Sequence, residues 1–286
     1  MVMPNKANHE INRRSWNEAT KAHNSHKGDQ AAFFRAGGST LFPEESRLLG
    51  DIAGKTLLHL QCNSGQDSLS IVRHLGATVT GLDISDEAIR FARQLSRDSG
   101  IRASFVRADV YDFFAEAGAP YDIVFSSYGV LCWLSDLAAW GRGIAGCLKP
   151  GGKFVLIDFH PALFMFDEDW QLKHEYMGGA PYEFVSGVGD YVALTGTAAE
   201  IDNLLPGVRD FRNPYPGVEF QWGIAEVAMA LIDADLQLSH LAEYKYCNGF
   251  KPMPDMVEMS GRRYAMPAYL PQNVPLMFSI VAELKP

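Results

Sequence analysis

Lys55-Thr56-Leu57-Leu58-His59-Leu60-Gln61-Cys62-Asn63-Ser64-Gly65 is the stretch that decides the fold. It opens as a short apolar run, Thr56–Leu60, which reads as a buried strand. It then turns through a polar loop at 61–65. Beyond the loop, Gln66–Leu75 carries Leu69, Ile71, Val72 and Leu75 at the spacing of an amphipathic helix. A strand that turns straight into a helix presents the unpaired N–H groups of the helix start to a ligand beyond the strand. A pyrophosphate or an amino-acid carboxylate would suit such a turn. Gly65 alone falls short of a G-x-G-x-x-G fingerprint.

The same rhythm continues outward. Residues 78–82 read as a second strand ended by Asp83, with Ser85 as N-cap of a helix at Asp86–Ser99. Residues 103–107 and 123–127 read as further strands. Residues 137–148 read as a helix stopped by Lys149-Pro150-Gly151-Gly152, and 153–159 as a fifth strand. These strands are continuous apolar runs, as in parallel strands covered on both faces. Strand–helix alternation at this spacing predicts βαβ units in a doubly wound, Rossmann-like α/β sheet. A helix at 223–235 and strands at 236–246 and 276–284 close the chain.

Four segments follow. Residues 1–50 form a helical lead-in or lid, with helices at 11–22, 30–36 and from Pro43 to near Gly50. Residues 51–160 form the core and 223–286 its C-terminal part. Residues 161–222 are rich in aromatics, Gly and Pro, and too long for a structureless loop. They are expected to form an inserted cap with short strands.

Composition narrows the function. A net charge of −9 argues against nucleic acid as the partner, since phosphate binding needs clustered Lys and Arg. Four cysteines without a CxxC pair indicate neither a zinc site nor a disulfide framework. The polar start and the lack of a membrane-length apolar run point to the cytoplasm.

Ligands of open α/β sheets bind beyond the carboxyl ends of the strands. There the sequence places Gln61, Cys62, Asn63 and Gly65, then Asp83, Asp109 and Ser126. A carboxylate at Asp83 can accept hydrogen bonds from both ribose hydroxyls. Asp109 can take an adenine amino group, with Ile84 and Val110 as apolar walls. The three positions together describe adenosine carrying an amino acid.

On these residues the stretch 55–161 resembles the class I S-adenosylmethionine (SAM)-dependent methyltransferases. The matching pieces are 57–67, Val79-Thr80-Gly81-Leu82-Asp83-Ile84-Ser85, Phe105-Val106-Arg107-Ala108-Asp109-Val110, 121–127 and Leu148-Lys149-Pro150-Gly151-Gly152-Lys153. The resemblance implies a first loop holding the methionine moiety, a second-strand acid on ribose and a third-strand acid at adenine. It also implies a seven-stranded, mostly parallel sheet with an antiparallel C-terminal strand. Gln61 and Asn63 stand where the family usually has glycines, and His59 where it usually has an acid.

Methyl transfer to a small, partly apolar acceptor is therefore expected, with SAM as cofactor, no metal, and a homodimer as one assembly. The alternatives are intramolecular cyclisation of SAM releasing methylthioadenosine, an NAD-dependent oxidoreductase, and a SAM-binding protein without catalysis. Catalytic candidates are Tyr128, His160 and Tyr176; Trp133 reads as core. Arg35 is a candidate partner for the methionine carboxylate. His23 and His26 read as surface polar residues. The Met- and aromatic-rich residues 250–278 read as core with some pocket lining.

Overall fold

The computed structural model describes residues 5–116, 118–178, 181–195, 205–270 and 273–286. Three helices lead in. Helix α1 (Lys6–Ser25) starts where the Asn5 side chain accepts the Asn8 N–H, and extends past both ends of the expected 11–22. Helix α2 (Gln30–Arg35) is capped by Asp29 and buries Phe34; α3 (Pro43–Leu49) begins on a proline.

The core follows in the expected alternation. It runs β1 (Thr56–Leu60), α4 (Gln66–Leu75), β2 (Thr78–Asp83), α5 (Asp86–Ser99), β3 (Ser104–Arg107), α6 (Val110–Ala115), β4 (Tyr121–Ser127), α7 (Leu137–Cys147) and β5 (Leu148–Phe159). Helix α6 was not expected; Asp109 caps it by accepting the Tyr111 N–H at 2.9 Å. Strand β5 starts five residues earlier than expected, because Leu148 already pairs with Tyr121 ahead of the Pro150-Gly151 turn.

Among the described residues of 161–222 the regular elements are a short 3-10 helix (Leu163–Met165), β6 (Tyr182–Phe184), α8 (Tyr191–Thr195) and β7 (Gly217–Glu219); β6 and β7 form an antiparallel pair. The chain closes with α9 (Ile224–Ile232), β8 (Leu236–Tyr244), β9 (Tyr246–Asn248), β10 (Val257–Met259), β11 (Arg263–Ala265) and β12 (Met277–Leu284). Strands β9, β10 and β11 form a small sheet of their own, in the order β10-β11-β9.

The main sheet has seven strands in the order β3-β2-β1-β4-β5-β12-β8. Strand β12 runs antiparallel to both β5 and β8, and the other pairings are parallel. The order reverses between β1 and β4, so a crevice opens at their carboxyl ends. Edge strand β8 alternates exposed and half-buried positions after a buried Leu236, while β12 is almost wholly buried.

Two core layers sandwich the sheet. On one face Trp140, Ile144, Val227 and Leu231 of α7 and α9 pack on Leu58, Val124 and Phe154. Gly141 permits this approach, since a Cβ there would stand 2.2 Å from the Ala230 carbonyl oxygen. On the other face Leu48, Leu49, Ile71, Met253, Met256, Tyr264 and Met266 pack on Leu57, Ile123 and Val155. Much of the Met-rich 250–278 is therefore core, though Met259 and Tyr269 are exposed.

Helix α1 is fastened to the 161–222 segment. The Asn12 amide donates to the Val218 carbonyl at 2.8 Å and accepts the Val218 N–H at 2.7 Å. The Ser15 hydroxyl accepts the Val188 N–H at 2.9 Å, and Asn213 donates to Ser15 O, also at 2.9 Å.

Candidate active site

The loop after β1 makes its turn with left-handed residues. Gln61, Asn63 and Gly65 have φ of 52°, 47° and 78°. A non-glycine residue pays about 1–2 kcal/mol for this conformation. Local bonds offset the cost: Gln61 Nε2 donates to Val130 O at 2.9 Å, and Asn63 Oδ1 accepts the Ser64 N–H at 2.7 Å. At Gly65 no side chain fits, because a Cβ would lie 2.7 Å from the Phe105 ring and 2.8 Å from Ala92 Cβ. Burial pushes the Cys62 thiol far up, which removes it as a nucleophile.

Asp83 ends β2 beside this loop. Its Oδ2 accepts the Asn63 N–H and its Oδ1 the Ser85 N–H, both at 2.8 Å. Burial nevertheless raises the carboxyl to about 6, against the pull of these backbone bonds. A carboxylate offers about four acceptor positions, so both oxygens keep capacity for ligand hydroxyls. Asp109 is more fully engaged. Its Oδ2 lies 2.7 Å from His9 Nδ1 and 3.3 Å from Lys6 Nζ, and its Oδ1 takes the Tyr111 N–H. Burial works to raise the Asp109 carboxyl, but the hydrogen bonds from His9 and the Tyr111 N–H and the nearby charge of Lys6 hold it below its ordinary value.

These groups border a cavity of about 690 Å³, within the range of small-molecule sites. Of the sequence candidates, Gln61, Cys62, Asn63, Asp83, Ile84, Asp109, Val110 and Tyr128 line it. Gly65, Ser126, Arg35, His160 and Tyr176 do not. Arg35 ends a short helix whose inward position belongs to Phe34, so its guanidinium lies outside and donates to Asp98 O at 2.6 Å. His160 has both ring nitrogens engaged, Nε2 with Glu243 at 2.9 Å and Nδ1 with the Ala162 N–H at 3.0 Å. Tyr176 accepts the Ile224 N–H at 3.3 Å at the start of α9. Ser126 is buried inside β4.

Two sequence expectations are reversed. His23 and His26 are buried, not surface residues; His23 meets Gly189 O at 2.9 Å and His26 meets Asp190 at 2.7 Å. Trp133, expected in the core, lines the cavity and meets Trp16 edge-on at 5.4 Å between ring centroids.

Comparison with known proteins bears on this geometry. Residues 57–152 match the family of methyltransferase domains. A ubiquinone biosynthesis O-methyltransferase of Xanthomonas euvesicatoria is 35% identical over 116 residues, covering 40% of this chain and 48% of that protein. Residues 57–152 are thus a methyltransferase domain, and the fold around them is that of the class I SAM-dependent methyltransferases.

The methyltransferase core is matched over part of its relatives only: the chain spans about half the length of the curated proteins it resembles. Solved structures share the fold over more of the chain. A SAM-dependent methyltransferase from Mesorhizobium loti has a TM-score of 0.50 and 18% identity, covering 84% of this chain and 96% of that one. Geranyl diphosphate C-methyltransferase from Streptomyces coelicolor has a TM-score of 0.52 and 14% identity, covering 99% of both.

Two cavity residues escaped the sequence reading. Lys27, in the Lys-Gly-Asp break between α1 and α2, faces the cavity, and among the described residues its ammonium meets no hydrogen-bonding or ion-pair partner. Burial lowers it to about 8, opposed by the nearby charge of Asp67. Glu219, the last residue of β7, also lines the cavity. Neither belongs to a motif; only the fold brings them to the site. Tyr128 is a neutral phenol, pushed far up by burial and by Glu45, and its oxygen accepts from Asn248 Nδ2 at 2.9 Å. The turn carrying it is pinned by the buried Asp158, which accepts the N–H groups of Gly129, Val130, Leu131 and Phe159. Among the described residues no group of three His, Cys, Asp or Glu is placed to hold a metal ion. Nor is any helix among them long and apolar enough to cross a membrane.

Proposed function

We propose that this protein transfers the methyl group of SAM to a small, partly apolar acceptor. The observation that carries the reading is one cavity lined by Gln61, Cys62, Asn63, Asp83 and Lys27, whose ammonium meets no partner among the described residues. The donor set suits SAM. Lys27, rather than the expected Arg35, pairs with the methionine carboxylate. Asp83 accepts from the ribose hydroxyls. Ile84 and Val110 enclose the adenine, and Asp109 adds to its edge with the acceptor capacity that His9 and Lys6 leave free.

When bound, SAM supplies a methyl group on a positive sulfur, open to in-line displacement. The chain's own contribution is alignment and exclusion of water. Aromatic faces from α1, the loop after β4 and the 161–222 segment, among them Trp16, Trp133 and Phe184, line the cavity and favour both a cationic sulfonium and a flat acceptor. In this reading residues 161–222 act as the acceptor cap and 1–50 as a lid. Residence in the reducing cytoplasm accords with four thiols, none of which is paired.

Titration calorimetry with SAM, S-adenosylhomocysteine and NAD tests the reading. SAM and S-adenosylhomocysteine should bind and NAD should not; absence of SAM binding would refute it. Mass spectrometry of the turnover mixture separates the chemistries: S-adenosylhomocysteine marks methyl transfer, and methylthioadenosine marks cyclisation.

A further inference from the structure

The carboxylates bordering the cavity are not alike. Asp83 is held by backbone N–H groups, Asp109 by His9, Asp190 by His26 and Asp67 by the Thr40 hydroxyl. Asp29 caps α2. Glu219 alone among them meets no hydrogen-bond or ion-pair partner among the described residues.

Its place is fixed from three sides. Strand β7 pairs with β6, with Tyr182 opposite Glu219. The Asn12 clamp on Val218 ties the strand to α1. On the other side the Phe220 N–H donates to Cys132 O at 2.8 Å. That bond sets Glu219 beside the turn Leu131–Trp133, whose preceding residue, Val130, is tied to Gln61 of the cofactor loop. Glu219 and the β1 loop are thus linked through one short stretch of chain.

We propose, building on the methyltransferase reading above, that Glu219 is the group that meets the acceptor, and that the acceptor is a phenolic hydroxyl compound whose proton Glu219 takes during transfer. The surroundings favour this class. Trp133 and Phe184 offer flat apolar faces to an aromatic ring, and Glu219 offers an acceptor to its hydroxyl. A protonated amine would pair with the same carboxylate, but it has no free electron pair for a methyl group, and the sulfonium would repel it. With a phenol, the acceptor oxygen forms its bond to the methyl carbon as the carbon–sulfur bond breaks. The electron pair of that bond stays on sulfur, and the hydroxyl proton passes to Glu219. Burial lifts the Glu219 carboxyl to about 7, which suits a general base near neutral pH. The titratable groups on the elements packed against it are Lys6, His9, Glu10, Arg13, Arg14, Glu18, Lys21 and His23 on α1, Cys132 beside Trp133, and Tyr182 and Glu183 on β6; Lys21 pairs with Glu18, and His23 meets Gly189 O. His9 is committed to Asp109, while Arg13 and Arg14 are committed to Glu10.

The test uses wild type, Glu219→Gln, Glu219→Asp and Glu219→Leu. Calorimetry on the S-adenosylhomocysteine complex compares p-cresol with 4-methylanisole, which lacks the hydroxyl. Wild type should prefer p-cresol several-fold, and Glu219→Leu should lose the preference. With SAM, methylation of p-cresol and catechol by wild type should fall as pH drops below 7. Glu219→Gln should lose at least about 100-fold in kcat together with this acid limb, and Glu219→Asp should recover part of the rate. SAM affinity should stay within about twofold in all variants, which shows an intact fold. An unchanged rate and pH profile in Glu219→Gln would overturn the assignment. Wild type that binds SAM yet neither binds nor methylates any phenol would overturn the acceptor class alone. Wild type that does not bind SAM would overturn the underlying function as well.

Discussion

At the scale of single residues, the cavity is defined by charges whose partners are missing or shared. Lys27 is a half-buried lysine on the same cavity as Gln61–Asn63, and Lys27→Met should weaken SAM binding by about 10- to 100-fold while leaving adenosine binding little changed, as read by calorimetry. Equal loss for both ligands would argue against a carboxylate partner. Asp83 gives a pH signature. Its carboxyl titrates at about 6 in the free protein, and ribose hydroxyls donate best to the ionised form. The ionised fraction falls from about nine-tenths at pH 7 to about one-tenth at pH 5, so SAM affinity should drop about tenfold over that interval. A flat profile would remove Asp83 from the ribose. Stability of the free protein moves the other way. Asp83 binds its proton more tightly folded than unfolded, so its contribution is present at low pH and lost as pH rises from about 4 through 6. Of these residues, Asp83 was legible in the sequence because it ends an apolar run and precedes a capped helix. Lys27 was not, because a cation in a Lys-Gly-Asp break looks like ordinary punctuation until α1 and α2 fold around it. Arg35 drew the assignment instead, though a six-residue helix has room for one inward side chain on that turn and Phe34 occupies it.

Among the elements, the parallel strands and their helices were readable because continuous apolar runs followed by polar turns have few other interpretations. Helix α6 was missed: it is six residues long, and its cap Asp109 had been given to the ligand. The small β9–β11 sheet was missed as well, since its three-residue strands pair Asn248 with Arg263 across a long connection, which no local pattern signals. The turn after β4 depends on one residue of β5. Asp158→Ala would strand four N–H groups, two buried and two part-buried, and should cost at least about 3 kcal/mol in urea unfolding. The wild-type carboxyl is raised to about 6, so its stabilising contribution declines as pH rises through 6, and the variant should lose that slope. A loss below 1 kcal/mol would mean that the turn holds without it.

For the whole molecule, the sheet order puts the crevice at the β1–β4 switch, and α1, residues 27–42, the 161–222 segment and residues 248–264 supply the rest of the wall. Hydrogen exchange should show this arrangement: adding SAM should slow exchange across α1 and β7 together. Slowing confined to the β1 loop would mean that the lead-in does not cover the ligand. The reciprocal Asn12–Val218 bonds have a kinetic consequence. Lead-in and hairpin are joined like two leaves on one hinge pin, so neither swings without the other. For the methyl transfer proposed above, donor and acceptor would then be admitted through one opening, and both products would leave by it. Turnover should be governed by a single gating rate, and Asn12→Ala, by uncoupling the leaves, should speed product escape at the expense of water leaking in.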